Sequence, residues 1–219
     1  MSMRGFVNGG RILATGGPMT ATTALRSEHE IILAVIACLR AACDAARGGE
    51  DIDAESFRKG VDFIRAYADG WHHAKEEVHL FPALEAAGMP RESGPVGVML
   101  HEHEIGRAHV GMMADHLDAA AEGDRSAQAT VVEHALAYAD LLEAHIQKED
   151  GILFNMADQL LPPPEHQRLE EAYLTAIPDG ADATTGAHYE KLARQLCERW
   201  RIDPDEVRSV TEGGGCHGF

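Results

Sequence analysis

The same short text occurs twice in this chain. Glu28-His29-Glu30-Ile31 returns as Glu102-His103-Glu104-Ile105, and His72-x-x-Lys75-Glu76-Glu77-x-x-Leu80-Phe81 returns as His145-x-x-Lys148-Glu149-Asp150-x-x-Leu153-Phe154. The offsets are 74 and 73 residues, the signature of a duplicated structural unit. A fold for this chain has to give both copies equivalent surroundings.

The text around the repeats is helical. Leu25, His29, Ile32, Ile36, Leu39 and Cys43 advance by alternating steps of four and three, one stripe of an α-helix that Gly48-Gly49 ends. Asp53 is placed to cap a second helix, whose stripe is Phe57, Val61, Ile64, Ala68, His72, Glu76 and His79. Pro82 should kink or restart it. A third helix opens at Pro95 with the stripe Met99, His103, Gly106, Val110, Met113 and Leu117, and Gly123 breaks it. Ser126 is the candidate cap of the fourth, with the stripe Val131, Ala135, Tyr138, Leu142, His145, Glu149, Ile152 and Met156, closed by Pro162-Pro163-Pro164. Short links make consecutive helices antiparallel neighbours. The predicted fold is therefore all-α: an up-down-up-down four-helix bundle over residues 22–162. Before it lies a flexible Gly-rich arm, 1–21. After it comes a C-terminal extension, 163–219, with a partly helical stretch, a loop at 177–186, an extra helix from Tyr189 to Trp200 and a Gly-rich mobile tail.

Histidine and glutamate interrupt all four stripes: His29 on the first helix, His72 and Glu76 on the second, His103 on the third, His145 and Glu149 on the fourth. Residues at i and i+4 share a helix face, so each HxxxE pair points inward at one place. One such pair is weak information in a chain with 13 histidines and 36 acidic residues. The duplication is stronger. His29 and His103 lie early in their helices, the two HxxxE pairs late in theirs, so an antiparallel bundle brings all six to one layer. A hydrogen-bonded polar layer would explain the burial of six ionisable groups but not the repeat. A pair of metal ions explains both, since imidazole and carboxylate suit iron, manganese or zinc and a glutamate can bridge two ions.

Bulk properties exclude other classes. A formal net charge of −17 repels phosphate backbones, so no nucleic-acid partner is expected. The longest apolar run, Ile31 to Leu39, is nine residues, short of the ~18 a membrane span needs. The N-terminal text lacks the apolar core of a signal peptide, and four scattered cysteines read as reduced thiols, so a cytoplasmic location is expected.

The pattern H…HxxxE…H…HxxxE over residues 22–160, with the flanking text HHAKEEVHLFPAL, EHEI and HIQKEDGILF, resembles the hemerythrin family in its bacterial HHE cation-binding form. The resemblance implies two iron ions in a non-haem centre, with an oxo or hydroxo bridge and bridging glutamates, on His29, His72, Glu76, His103, His145 and Glu149. Zinc or manganese would be the alternative ions. Oxygen-carrying members have a fifth histidine one turn from the one on the third helix; here those positions are Met99 and Arg107. They also use an aspartate where this chain has Asp150, one residue past Glu149. The match is thus to the four-histidine branch, which puts stable oxygen carriage in doubt. The implied activity is binding of, or reaction with, O2, NO or peroxide, in iron handling or stress defence. The alternative is an iron or oxygen sensor or store without turnover, with a protein partner met through the C-terminal extension.

Other residues are ranked lower. His73 turns off the stripe and reads as surface or as a neighbour of the ligands, as do Glu77 and Asp150. His79 is a candidate extra ligand or proton relay, Tyr138 reads as core, and Cys216-His217 belongs to the tail.

Overall fold

The structure is a computed structural model, described here for residues 20–175 and 185–207. Residues 1–19 of the arm expected at 1–21, most of the loop expected at 177–186 and the Cys216-His217 tail lie outside the described residues, while Ala21 already belongs to a helix.

Among the described residues all regular structure is helical. α1 is Ala21–Arg47, α2 spans residues 54–86, α3 is Gly94–Ala121 and α4 spans residues 125–160. Each packs on the next, and α4 closes on α1. The three links are short, and each carries a glycine in left-handed conformation, with φ of +98° at Gly49, +102° at Gly88 and +96° at Gly123, which lets the chain reverse at once. Asp53 caps α2 by accepting the Ser56 N–H. At α4 the cap is Asp124, which accepts the N–H groups of Ser126 and Ala127; Ser126, expected as the cap, is inside the helix. Aspartate wins because an ionised oxygen binds two orphan N–H groups and faces the positive helix end. Two further helices follow: α5, Pro163–Thr175, against α1 and the late part of α2, and α6, Thr185–Trp200, against α1 and α2. Leu192, Ala193, Leu196 and Cys197 of α6 join the bundle core, Trp200 Nε1–H donates to Ser56 Oγ, and the buried thiols of Cys38 and Cys197 meet at 3.7 Å.

Two helices depart from α geometry. α2 is π-helical at Ile64–His73 and again at Glu76–Leu80; α4 is π-helical once, at Glu149–Leu153. Steps of four in an α-helix overshoot a full turn by roughly 40° each. The inward residues His72, Glu76, Leu80 and Leu84 nonetheless run in steps of four, as do His145, Glu149, Leu153 and Ala157. The wider π turn holds one more residue and keeps those residues on one face. This corrects the predicted stripes. His79, Ile152 and Met156 do not point inward; Leu80, Leu153 and Ala157 do. Ile152 is 54% and Met156 40% exposed, whereas Leu153 and Ala157 are fully buried.

The ligand layer separates two apolar cores. One, on the link side of α1 and α2, contains Phe57, Phe63, Met113 and Val131; the other contains Leu25, Leu84, Met99 and Leu169. Phe154 stacks on His29 at 5.4 Å and its repeat partner Phe81 on His103 at 6.1 Å, so the second core forms the floor of the layer. No described helix is long and apolar enough to cross a membrane.

The π turn gives a direct test. Leu153→Ala should lower the unfolding free energy by about 2–5 kcal/mol, the range for deleting a fully buried leucine. Ile152→Ala should cost under about 0.5 kcal/mol. Denaturant unfolding of both variants decides it; the reverse order would restore an unbroken α-helix through residue 160.

Candidate metal centre

The six residues singled out by the repeat converge. His29, His72, Glu76 and Glu149 form one buried group of closely spaced ligand atoms. A second group contains His103, His145 and Glu76, and it has a member outside the six, His73. The Nε2 atoms of His29 and His72 approach to 2.9 Å, and those of His103 and His145 to 3.2 Å. Two nitrogens bound at right angles, each about 2.0–2.1 Å from one ion, would be about 2.9 Å apart.

The glutamates lie between the groups. Glu149 Oε2 is 3.2 Å from His29 Nε2 and its Oε1 is 3.3 Å from His145 Nε2. Glu76 Oε1 is 3.7 Å from His72 Nε2 and its Oε2 is 3.6 Å from His103 Nε2. Each carboxylate thus offers one oxygen to each group. All four oxygens are buried without a hydrogen bond. Buried carboxylate left in that state is costly, and a cation at each group would satisfy all four oxygens.

Every inward imidazole is held from behind. Nδ1–H of His29 donates to Asp150 (2.9 Å), of His72 to Glu28 (3.0 Å), of His103 to Glu77 (2.7 Å) and of His145 to Glu102 (3.0 Å). Such a bond fixes the tautomer and leaves Nε2 free to ligate. Glu28 also accepts from Lys75 and Trp71, and Glu102 from Lys148, while Arg26 pairs with Asp150 and Arg107 with Glu77. The carboxylates behind the rings are duplicated too, at 28 and 102 and at 77 and 150. The repeat carried that signal, although nothing in a spacing rule says what Glu28 and Glu102 touch.

Of the two sequence readings of His73, surface or neighbour of the ligands, the first does not hold. It is buried, stacks on the His103 ring at 3.8 Å and lies 5.8 Å from the His145 ring. Its Nδ1–H reaches Asp69 at 3.3 Å, and Arg107 holds Asp69. It therefore shares the pattern of the other four histidines. Adjacent residues on an α-helix diverge by ~100°. The π stretch Ile64–His73, which α4 lacks, is where both His72 and His73 turn inward; the repeat partner of His73 is Ile146. Met99 and Arg107 remain one turn from His103 on α3, so the ground for doubting oxygen carriage stands, and His73 reaches the second group from α2. His79 takes no part in either group.

Burial and neighbouring charges pull these groups in opposite directions. Burial, and then the neighbouring charge of Glu149, pushes Glu76 well above the usual carboxylate range. Burial would raise Glu149 as well, but His145 and His29 outweigh it and hold it low. Burial lowers His72 to about 4. In His29 the effect of burial is outweighed by Asp150 and Glu149, which raise it, and His145 is raised to about 9 against burial, mainly by Glu149 and Glu102.

Comparison with known proteins agrees with this site. The family description "Hemerythrin HHE cation binding domain" matches residues 20–157. Uncharacterised proteins of Mycobacterium bovis and Mycobacterium tuberculosis are 24% identical over 156 residues, 71% of this chain and 60% of theirs. The chain thus spans about 60% of the length of these relatives. No solved structure matches.

Removing a buried charge separates a metal site from a polar layer. Glu76→Gln should leave the melting temperature of metal-free protein unchanged or raise it by roughly 2–4 °C, and should abolish the gain that metal gives the parent. Loss of stability in both states would point to a polar layer instead. Glu28→Gln and Glu102→Gln should weaken metal binding about 10–100-fold. His73→Ala should weaken it as much as His103→Ala, and exposed His101→Ala not at all; a silent His73→Ala would return that residue to the role of neighbour.

Proposed function

Because the chain belongs to the hemerythrin HHE cation-binding family, and because two glutamates lie between its two buried groups, we propose that it holds a pair of iron ions and reacts with a small molecule such as O2, NO or peroxide. The observation that carries this reading is the set of four buried carboxylate oxygens, each near imidazole nitrogens of one group and none hydrogen-bonded. His29 and His72 would hold one ion, and His103, His145 and His73 the other, with Glu76 and Glu149 bridging. Imidazole and carboxylate together suit iron, and zinc or manganese fit the same donors less selectively. Iron, when bound, supplies electrons to a small oxidant.

The chain's own residues do the rest. The outer carboxylates accept from Nδ1–H of each ring and so aim every Nε2 inward. Phe81, Phe154 and the apolar cores exclude bulk water. The second reading, a sensor or store, is favoured by α6, whose Leu196 and Cys197 lie in the bundle core and could relay a change to a protein partner.

Rapid mixing of the reduced, iron-loaded protein with O2, NO or peroxide separates these readings. Turnover predicts oxidation by O2 within seconds to minutes and measurable reaction with NO or peroxide. Inertness to all three, with a redox-dependent change in protease sensitivity of residues 165–219, would favour the sensor. An oxygenated spectrum that reverses under vacuum would instead indicate carriage, with His73 as the fifth histidine.

A further inference from the structure

Two thiols meet where α6 joins the bundle. Cys38 on α1 and Cys197 on α6 are buried, 1% and 4% exposed, and their sulfurs lie 3.7 Å apart although 159 positions separate them in the chain. Neither belongs to the duplicated metal plan. The repeat partner of Cys38 is the exposed Met112, and α6 lies beyond residues 20–157, which match the family. Cys43 gives the contrast: it is buried on the same helix, but its thiol donates to the Val132 carbonyl at 3.9 Å. α6 is anchored on both sides of Cys197. Leu192 and Leu196 pack into the core before it; after it Arg199 pairs with Asp53 and Trp200 Nε1–H donates to Ser56 Oγ. The two sulfurs thus face each other in a preset geometry and have to close only to the about 2.05 Å of a disulfide. The pair is also polarised. The Cys38 S–H donates to Cys197 Sγ, which holds the Cys197 thiol below its usual range against the effect of burial and, together with burial, pushes Cys38 up. Thiolate is the attacking form, so Cys197 is the nucleophile and Cys38 the thiol that resolves it.

We propose that Cys38 and Cys197 form a reversible disulfide that fastens α6 to α1, made by a two-electron oxidant of the hydroperoxide class and opened by dithiols. The Cys197 sulfur attacks one peroxide oxygen and the O–O bond breaks. Cys197 becomes a sulfenic acid, and the departing hydroxide takes up the proton that Cys197 released, giving water. The Cys38 sulfur then displaces the hydroxyl from Cys197, and its own proton leaves with that hydroxyl as a second water. Two thiols and one hydrogen peroxide thus give one disulfide and two waters. Peroxide is close to water in size, so a slight local opening of α6 admits it, whereas a bulky alkylating reagent has to wait for the helix to detach. In a reducing compartment such a bond is transient and reports the oxidant. The proposal does not depend on the metal pair.

The test treats the folded, full-length protein with hydrogen peroxide or with diamide, a thiol-specific two-electron oxidant. The product is unfolded in an alkylating reagent, digested and mapped by mass spectrometry. Both oxidants should give a linked Cys38–Cys197 peptide pair, two hydrogens lighter than the reduced peptides and separated by dithiothreitol. Because the bond closes a long loop, oxidation should raise the melting temperature by roughly 5–10 °C. It should slow protease cutting within α6 by more than about tenfold. Cys38→Ser and Cys197→Ser should each abolish the linked pair and both shifts, while Cys43→Ser and Cys216→Ser keep them. Should serine at either buried position prevent folding, the peptide map of the parent decides alone. Four free thiols after diamide, linkage of either residue to Cys216 or to a second molecule, or a pair that forms only after denaturation overturns the proposal. A bond made by diamide but not by peroxide overturns the assigned oxidant, and a native bond that leaves cutting of α6 unchanged overturns the fastening.

Discussion

Two carboxylates meet in the middle of an apolar bundle, and the rest of the structure answers that one demand. Glu76 and Glu149 are wholly buried, and their four oxygens lack hydrogen bonds. Ionised carboxylate in such surroundings costs several kcal/mol unless a cation compensates it. Around the pair the sign of charge alternates outward. Imidazoles come first, then Glu28, Glu77, Glu102 and Asp150 behind them, then Lys75, Lys148, Arg26 and Arg107. Each layer steadies the one inside it. The apolar cores on either side keep water from relieving the demand more cheaply.

The bundle and the six central residues were legible because they obey rules visible along the chain. The repeat identified the pairs, the four-three stripes identified the helices, and the short links set neighbours antiparallel. What failed had one main physical source. Stripe counting assumes one residue per ~100° throughout, and π turns at 64–73, 76–80 and 149–153 break that assumption. A single phase shift misplaced His79, Ile152 and Met156 together, and a second hid His73. Unbroken steps of four from His72 to Leu84 were a visible warning that α geometry could not hold. The buttressing roles of Glu28 and Glu102 were hidden for a different reason: they depend on contacts between helices, about 43 or 44 residues apart in sequence, that no local pattern encodes.

Departures from symmetry come from both copies and gather around the second ligand group. Duplication alone would give two equivalent ion positions. The extra π stretch of α2, His73 in place of Ile146, the Asp69–Arg107 pair behind it, and Gly106 in place of Ile32 make them unequal. A symmetric pair of ions suffices for storage or for fold stability. Unequal surroundings let the two groups differ in what they hold.

The central claim is that the two buried groups hold two iron ions bridged by Glu76 and Glu149. The most direct measurement is anomalous scattering from crystals of iron-loaded protein, recorded on both sides of the iron absorption edge. The account predicts two peaks per chain, roughly 3.5–4 Å apart or closer, one beside His29 and His72, the other beside His103, His145 and His73, with both glutamates between them. A single peak, no peak, or density at this layer that shows only a zinc edge would contradict it.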